Sequence, residues 1–161
     1  MTDAIKTFFV DTFPPQLAVL LCAMIPIIEL RGAIPLGCIL GLPFWQTFPI
    51  AIVGNLIPSP FILLFIHKII HFLKRFKPTR KMALWAEKRA EVKSEKRENL
   101  SFLGLAVFVA VPLPGTGAWT GSLVANFLGI RFKKALLAVI SGVLAAGIVV
   151  TCVSYGVASA I

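Results

Sequence analysis

The chain has 161 residues, of which 58% are hydrophobic and 14% charged, with a mean hydropathy of +0.90 and a formal net charge of +9. A water-soluble domain of this length has too little interior to hide so much apolar side chain. The composition therefore excludes a soluble globular fold and predicts an all-α integral membrane protein in a single membrane domain.

Residues 1–13 read as a short amphipathic lead-in, not a signal peptide, because the first residues are not basic and Pro14-Pro15 interrupt the approach to the apolar run. Residues 14–42 are apolar around the stretch Pro26-Ile27-Ile28-Glu29-Leu30-Arg31-Gly32-Ala33-Ile34-Pro35-Leu36-Gly37. With the break placed at Glu29 to Gly32, the two arms are too short to cross ~30 Å of hydrocarbon. Pro26, Gly32, Pro35 and Gly37 weaken a straight helix, so 14–42 is expected to form a re-entrant hairpin whose freed backbone groups face protein, not lipid. Residues 44–66 are long enough to span, kinked by Pro49, Pro58 and Pro60, with Asn55 as the main polar interruption.

Residues 67–99 are basic, holding eleven Lys/Arg against four Glu, and are expected to be cytoplasmic. Within them Met82, Trp85, Arg89 and Val92 recur on one helical face and Glu87, Glu91, Glu95 and Glu98 on another, predicting an amphipathic surface helix. His67 and His71 are one turn apart but have no third ligand in sight, so no metal site is expected. Residues 101–129 form a second interrupted segment, broken at Pro112, Pro114, Gly115, Gly117 and Gly121. Residues 135–161 are the final span, in which Ala138, Gly142 and Ala146 make a small-residue seam for close packing. Such a small protomer is expected to form a homodimer or larger assembly. Cys22, Cys38 and Cys152 lie apart in apolar segments with no CxxC spacing, and read as small hydrophobes.

The halves resemble each other. Ile25-Pro26 and Val111-Pro112 each open a break, and each break leads to a similar exit, Leu40-Gly41-Leu42-Pro43-Phe44 and Leu128-Gly129-Ile130-Arg131-Phe132, if a gap of two residues is allowed. Paired interrupted segments point to a transporter site. With 67–99 cytoplasmic, a full crossing by 101–129 would leave Arg131, Lys133 and Lys134 outside, whereas a hairpin returns them to the cytoplasm. Symmetry then makes 14–42 a hairpin from the outer face. The predicted architecture is two inverted repeats, 14–66 and 101–161, each a re-entrant hairpin followed by a transmembrane helix, in a multi-pass cell-membrane protein. The basic blocks flank apolar runs, so anionic lipids explain them and nucleic acid is not an expected partner.

Glu29 is the one carboxylate in the predicted membrane region, with Arg31 two residues on. Charges at membrane depth are costly and are functional by default. Burial favours the protonated acid and the guanidinium favours the anion, opposed effects that suit a proton-coupling residue. Residues i and i+2 do not face each other on a regular helix, so a direct pair needs the break. Arg31 is also suited to an anionic substrate group. Opposite it, the 112–121 break would offer free backbone N–H groups, with Thr116 and Thr120 adding hydroxyls. Trp119 either gates or stacks on a substrate, or packs as a plug. Asn55 either bonds within the cavity or caps carbonyls freed by Pro58 or Pro60, the second being preferred. The competing reading of Glu29 and Arg31 is an ion pair that only fastens the hairpin.

The stretch Pro26 to Gly37, together with Pro112-Leu-Pro114-Gly115-Thr116-Gly117-Ala-Trp119-Thr-Gly121, resembles the small multi-drug export protein family over nearly the whole chain. That family looks like a distant relative of the DedA membrane proteins. The resemblance implies two re-entrant hairpins, an embedded acid that falls on Glu29, and proton-dependent transport or lipid-phosphate translocation. DedA-type second hairpins often carry arginines near their Pro-Gly turn, and 112–121 has none. The expected function is proton-coupled secondary transport of small molecules. The alternatives are a flippase for a polyprenyl or phospholipid phosphate and a non-transporting membrane scaffold or assembly factor. No paired carboxylates, nucleophile–base pair or metal set suggests an enzyme, and no cofactor is expected. Expected partners are membrane lipids, a small-molecule or lipid substrate, and a second copy of the chain.

Overall fold

The computed structural model describes residues 13–73, 95–113 and 115–160, and every regular element among them is a helix. In chain order these are α1 (Pro15–Met24), α2 (Glu29–Ile39), α3 (Phe44–Leu56), α4 (Pro58–Leu73), α5 (Glu95–Ala110), α6 (Ala118–Phe127) and α7 (Phe132–Ala160). Pro15 opens α1 at its first position, where a helix needs no N–H. At Ile57 the chain passes from α3 to α4, because Pro58 has no N–H for the carbonyl four residues back.

Phe44–Phe65 and Phe132–Ser159 are long and apolar enough to cross a membrane, with 22 and 28 residues and mean hydropathies of 1.9 and 2.6. Both segments expected to span are therefore long apolar helices, the second starting three residues earlier than expected. Large apolar side chains stand exposed along them, including Phe61, Leu64 and Phe65 on α4 and Ile148, Val149, Val153 and Val157 on α7. Bands of this kind suit hydrocarbon.

Two compact units are formed, one from Met1–Ile57 with Val143–Ile161 and the other from Pro58–Gly142. In the first, α1, α2 and α3 pack on one another around Ala18, Val19, Leu30, Ile34 and Ala51. Gly54 brings α3 close to α1: a Cβ there would lie 2.6 Å from the Leu20 carbonyl oxygen and 2.9 Å from the Ala23 Cβ. In the second, α6 packs on α4 and α5. A Cβ on Gly142 would lie 2.7 Å from the Ala106 carbonyl oxygen and 2.6 Å from the Val109 Cβ.

These contacts repeat. Leu20 and Ala23 correspond to Ala106 and Val109, as Gly54 corresponds to Gly142. The exit turns match bond for bond. Leu40, Gly41 and Leu42 donate their N–H groups to the carbonyls of Leu36, Cys38 and Gly37, and Leu128, Gly129 and Ile130 donate to Val124, Asn126 and Ala125. The turn glycines have φ of +75° and +65°, the left-handed ending that Gly adopts without a Cβ penalty. The first helix of each set is related by a shift of 86 residues (Leu20 to Ala106) and the later helices by 88 (Gly54 to Gly142), so the gap of two falls in the break.

Two expectations about the breaks need correcting. The first break is Ile25–Ile28, ahead of Glu29, and Gly32, Pro35 and Gly37 lie inside α2. Pro35 removes only the bond to the Arg31 carbonyl, and a Cβ on Gly37 would collide with the Thr47 Cγ2, so packing against α3 offsets the weak helix propensity. Gly121 likewise lies inside α6, where a Cβ would collide with Val109. Outside the breaks, helix extends into the basic stretch from both sides: α4, which carries His67 and His71, runs to Leu73, and α5 begins at Glu95 and takes in Glu98. Pro26, Pro112, Gly115 and Gly117 do fall in breaks. Pro114 and the amphipathic stretch Met82 to Val92 lie outside the described residues.

Candidate functional site

Glu29 is the first residue of α2 and has φ +49°, the one positive φ outside glycine among the described residues. A left-handed backbone costs an L-residue about 1–2 kcal/mol. By the shift of 88 residues its counterpart is Gly117, with φ +141°. At that offset a glycine stands where α2 keeps a glutamate. The Glu29 side chain is 2% exposed.

The left-handed turn takes Glu29 off the regular helical spiral, which lets residues i and i+2 meet. Arg31 Nη2 lies 3.4 Å from Glu29 Oε2. That is longer than the 2.7–2.9 Å of a tight charge-assisted bond, and Arg31 is 21% exposed. The pair therefore joins a buried carboxylate to a guanidinium that is partly open to the surroundings. Among the described residues of this unit, Glu29 and Arg31 are the only charged side chains.

Asn55 is 0% exposed, and neither its Nδ2 nor its Oδ1 has a hydrogen-bond partner. The preferred expectation, that it caps a carbonyl freed by Pro58 or Pro60, is not met. Thr47, Ala51 and Asn55 recur every four residues on one buried face of α3, so the side chain projects sideways while helix carbonyls point along the axis.

Thr116, Trp119 and Thr120 belong to the other unit. The Thr116 hydroxyl accepts from the Leu113 N–H at 3.2 Å and lies 2.6 Å from the Val111 carbonyl oxygen, so it ties together its own break. Trp119 and Thr120 are half-buried on the first turn of α6, and Gly117 just before it offers no side-chain cap. Below them the Ser122 hydroxyl donates to the Ala118 carbonyl and the Asn126 amide to the Ser122 carbonyl. Among the described residues no three His, Cys, Asp or Glu side chains gather as metal ligands would.

One cluster escaped the sequence reading. The Tyr155 hydroxyl lies 2.7 Å from the Leu42 carbonyl oxygen and 2.7 Å from the Thr47 Oγ1. Having one proton, it donates to the carbonyl and accepts from the threonine. The Cys38 thiol points to the Ser154 carbonyl at 3.7 Å. Tyr155 is the single tyrosine of the chain, and that was the available signal.

Residues 29–149 match the family described as "Putative small multi-drug export protein", beginning at Glu29 itself and taking in about three quarters of the chain. The chain belongs to that family. No curated protein and no solved structure matches it. Family membership and two apolar spans together make this a membrane protein. The family match includes Glu29, Arg31, Asn55, Thr116, Trp119 and Thr120, and omits α1 and Tyr155.

Proposed function

We propose that this chain is a proton-coupled secondary transporter of small molecules, with Glu29 exchanging the coupling proton and Arg31 guarding the carboxylate and receiving any anionic part of a substrate. The observation that carries this reading is a buried glutamate on a left-handed backbone at a helix break, paired with a partly exposed arginine. Strain of that kind persists where a residue is kept for what it does. The family name supports small-molecule export as the direction.

In this reading α1–α2 and α5–α6 are re-entrant hairpins and α3–α4 and α7 cross the membrane, as two repeats of opposite orientation. The basic stretch after α4 is cytoplasmic. Broken helices of this type satisfy their free backbone groups inside the protein and place binding near the midplane. Repeated exit turns and repeated glycine contacts support the repeat. The protein works with membrane lipids around it and as a homodimer or larger.

Two experiments test this. Single-cysteine labelling in a cysteine-free background should report positions 98 and 131 on the same, cytoplasmic side; opposite sides would reject the second hairpin. Uptake of tetraphenylphosphonium into proteoliposomes under an imposed pH gradient should be lost in Glu29→Gln and partly kept in Glu29→Asp, at matched folded levels. Gradient-driven uptake unchanged in Glu29→Gln would leave the ion pair as a fastener. Failure with this cation but pH-dependent movement of a lipid phosphate would favour a flippase, in which Arg31→Lys loses the planar fork and binds phosphate more weakly.

A further inference from the structure

We propose that Asn55 is the second half of the Glu29 site: when Glu29 takes up a proton and parts from Arg31, its carboxylic acid pairs with the Asn55 amide. This rests on the reading of Glu29 as the proton-exchanging group, and it makes Asn55 a positioning residue for the protonated state.

The placement follows from helix register. α2 and α3 are joined by the four residues 40–43 and pack on each other, so they run antiparallel. Gly37 sits against Thr47, which fixes one level of the ladder. One turn back along α2 and one turn forward along α3 gives Ala33 and Ala51. A further turn gives Glu29 and Asn55. All six residues are buried. Eight residues at a rise of about 1.5 Å carry both helices about 12 Å from the Gly37 level, so the Glu29 and Asn55 backbones arrive at one level, and the left-handed φ at Glu29 turns its side chain off the regular spiral there. Toward the far end, Leu30 on α2 and both Phe48 and Ile52 on α3 come within 3.2 Å of the position a Cβ on Gly147 would take, so α2 and α3 both line α7 there.

The chemistry fits the protonated acid. An asparagine amide has an acceptor on one side and donors on the other, and a neutral carboxylic acid has a donor and an acceptor, so the two meet edge to edge. An ionised carboxylate offers acceptors only and would leave Oδ1 bare. In the present state Glu29 is with Arg31, and the Asn55 amide is bare on both sides. A buried amide with both ends unspent is costly, and a partner that arrives in another state explains its presence. The repeat adds a second observation. At the positions of Glu29 and Asn55 the second copy carries Gly117 and Val143. The two polar residues occur together in one copy and are missing together from the other.

Few other groups compete. Among the described residues of this unit, the titratable side chains are Cys22 on α1, Glu29, Arg31 and Cys38 on α2, none on α3, and Cys152 and Tyr155 on α7. Tyr155 is spent on Leu42 and Thr47. Thr151 also has a bare hydroxyl, but it lies one turn beyond Gly147 toward the Cys38–Ser154 contact, away from Glu29. A metal cation is a poorer occupant than a proton, since Arg31 already balances the carboxylate and would repel it.

The test is pH-difference infrared spectroscopy on the full chain in lipid nanodiscs. A protonated-carboxyl band that disappears in Glu29→Gln assigns the acid. In Asn55→Val, which copies the second repeat, that band should move to higher wavenumber because the acid has lost its hydrogen bond. A second measurement needs no Asn55 variant: the side-chain amide nitrogen signal of Asn55 in wild type should shift as Glu29 protonates, and stay fixed in Glu29→Gln. A Glu29 band that is unchanged in Asn55→Val, or an Asn55 signal that stays fixed in wild type as Glu29 protonates, overturns the pairing and leaves the proton role standing. If no protonated-carboxyl band belongs to Glu29 at any pH where the protein stays folded, the proton role itself fails and the pairing with it.

Discussion

Gly37→Ala adds one methyl group where α2 and α3 touch. The nearest atom is the Thr47 Cγ2, followed by the Thr47 Oγ1 at 2.7 Å and Cβ at 3.1 Å. Thr47 cannot simply rotate, because its hydroxyl is bonded to Tyr155 at 2.7 Å. Forcing a methyl into a packed face costs about 1–3 kcal/mol. Replacing a glycine inside a helix returns about 0.5–1 kcal/mol. Gly104, inside α5, has nothing within 4 Å of its Cβ position and supplies the control. Gly104→Ala carries the helix gain alone, so the two variants should differ by about 1–3 kcal/mol, with Gly37→Ala the less stable. Thr47→Ala removes both colliding atoms. Combined with Gly37→Ala it should recover much of the loss, giving a coupling of about 1–3 kcal/mol in a double-variant cycle. Reversible unfolding in mild detergent or nanodiscs reads these values. Equal effects at Gly37 and Gly104, or simple additivity with Thr47→Ala, would refute the α2–α3 register and remove the ground for setting Asn55 opposite Glu29.

Tyr155→Phe removes the donor to the Leu42 carbonyl and the acceptor for Thr47, and should destabilise the protein by about 1–3 kcal/mol in the same assay. An effect near zero would mean that lipid or water replaces both bonds. Gly142→Leu should be more disruptive than Gly156→Leu, since a Cβ at 142 meets the α5 backbone at 2.7 Å and one at 156 meets nothing within 4 Å. Its damage should appear as lost folding of the protomer, measured by unfolding, with no change in the mass of the folded fraction. A shift from oligomer to folded monomer would place the Gly142 seam between protomers instead.

The membrane class and the two long apolar helices were legible because apolar length reports directly on the solvent a segment needs. The exit turns were legible too: Leu-Gly-Leu and Leu-Gly-Ile each end a helix with a left-handed glycine, a local property of the backbone. A direct Glu29–Arg31 pair could be tied to the break from spacing alone. Locating that break was harder. Pro35, Gly32 and Gly37 all weaken an isolated helix, yet α2 runs through them because tertiary packing outweighs propensity. Gly121 in α6 misled for the same reason, its small size serving the approach of Val109. Tyr155 meets Thr47 across 108 residues, a distance no local pattern reports. Asn55 was visible as a polar interruption. Its bare amide was not, because satisfaction of a buried group depends on neighbours that only the fold assembles.

The most direct test of proton exchange at Glu29 needs no imposed gradient. Wild-type protein and Glu29→Gln are reconstituted at equal folded density in vesicles holding a trapped pH dye, and a pulse of tetraphenylphosphonium is added outside at zero membrane potential. Wild type should answer with a proton movement opposite to that of the cation, scaling with the amount of cation moved, and Glu29→Gln should show none. Equal proton movement from both proteins would contradict a coupling role for Glu29.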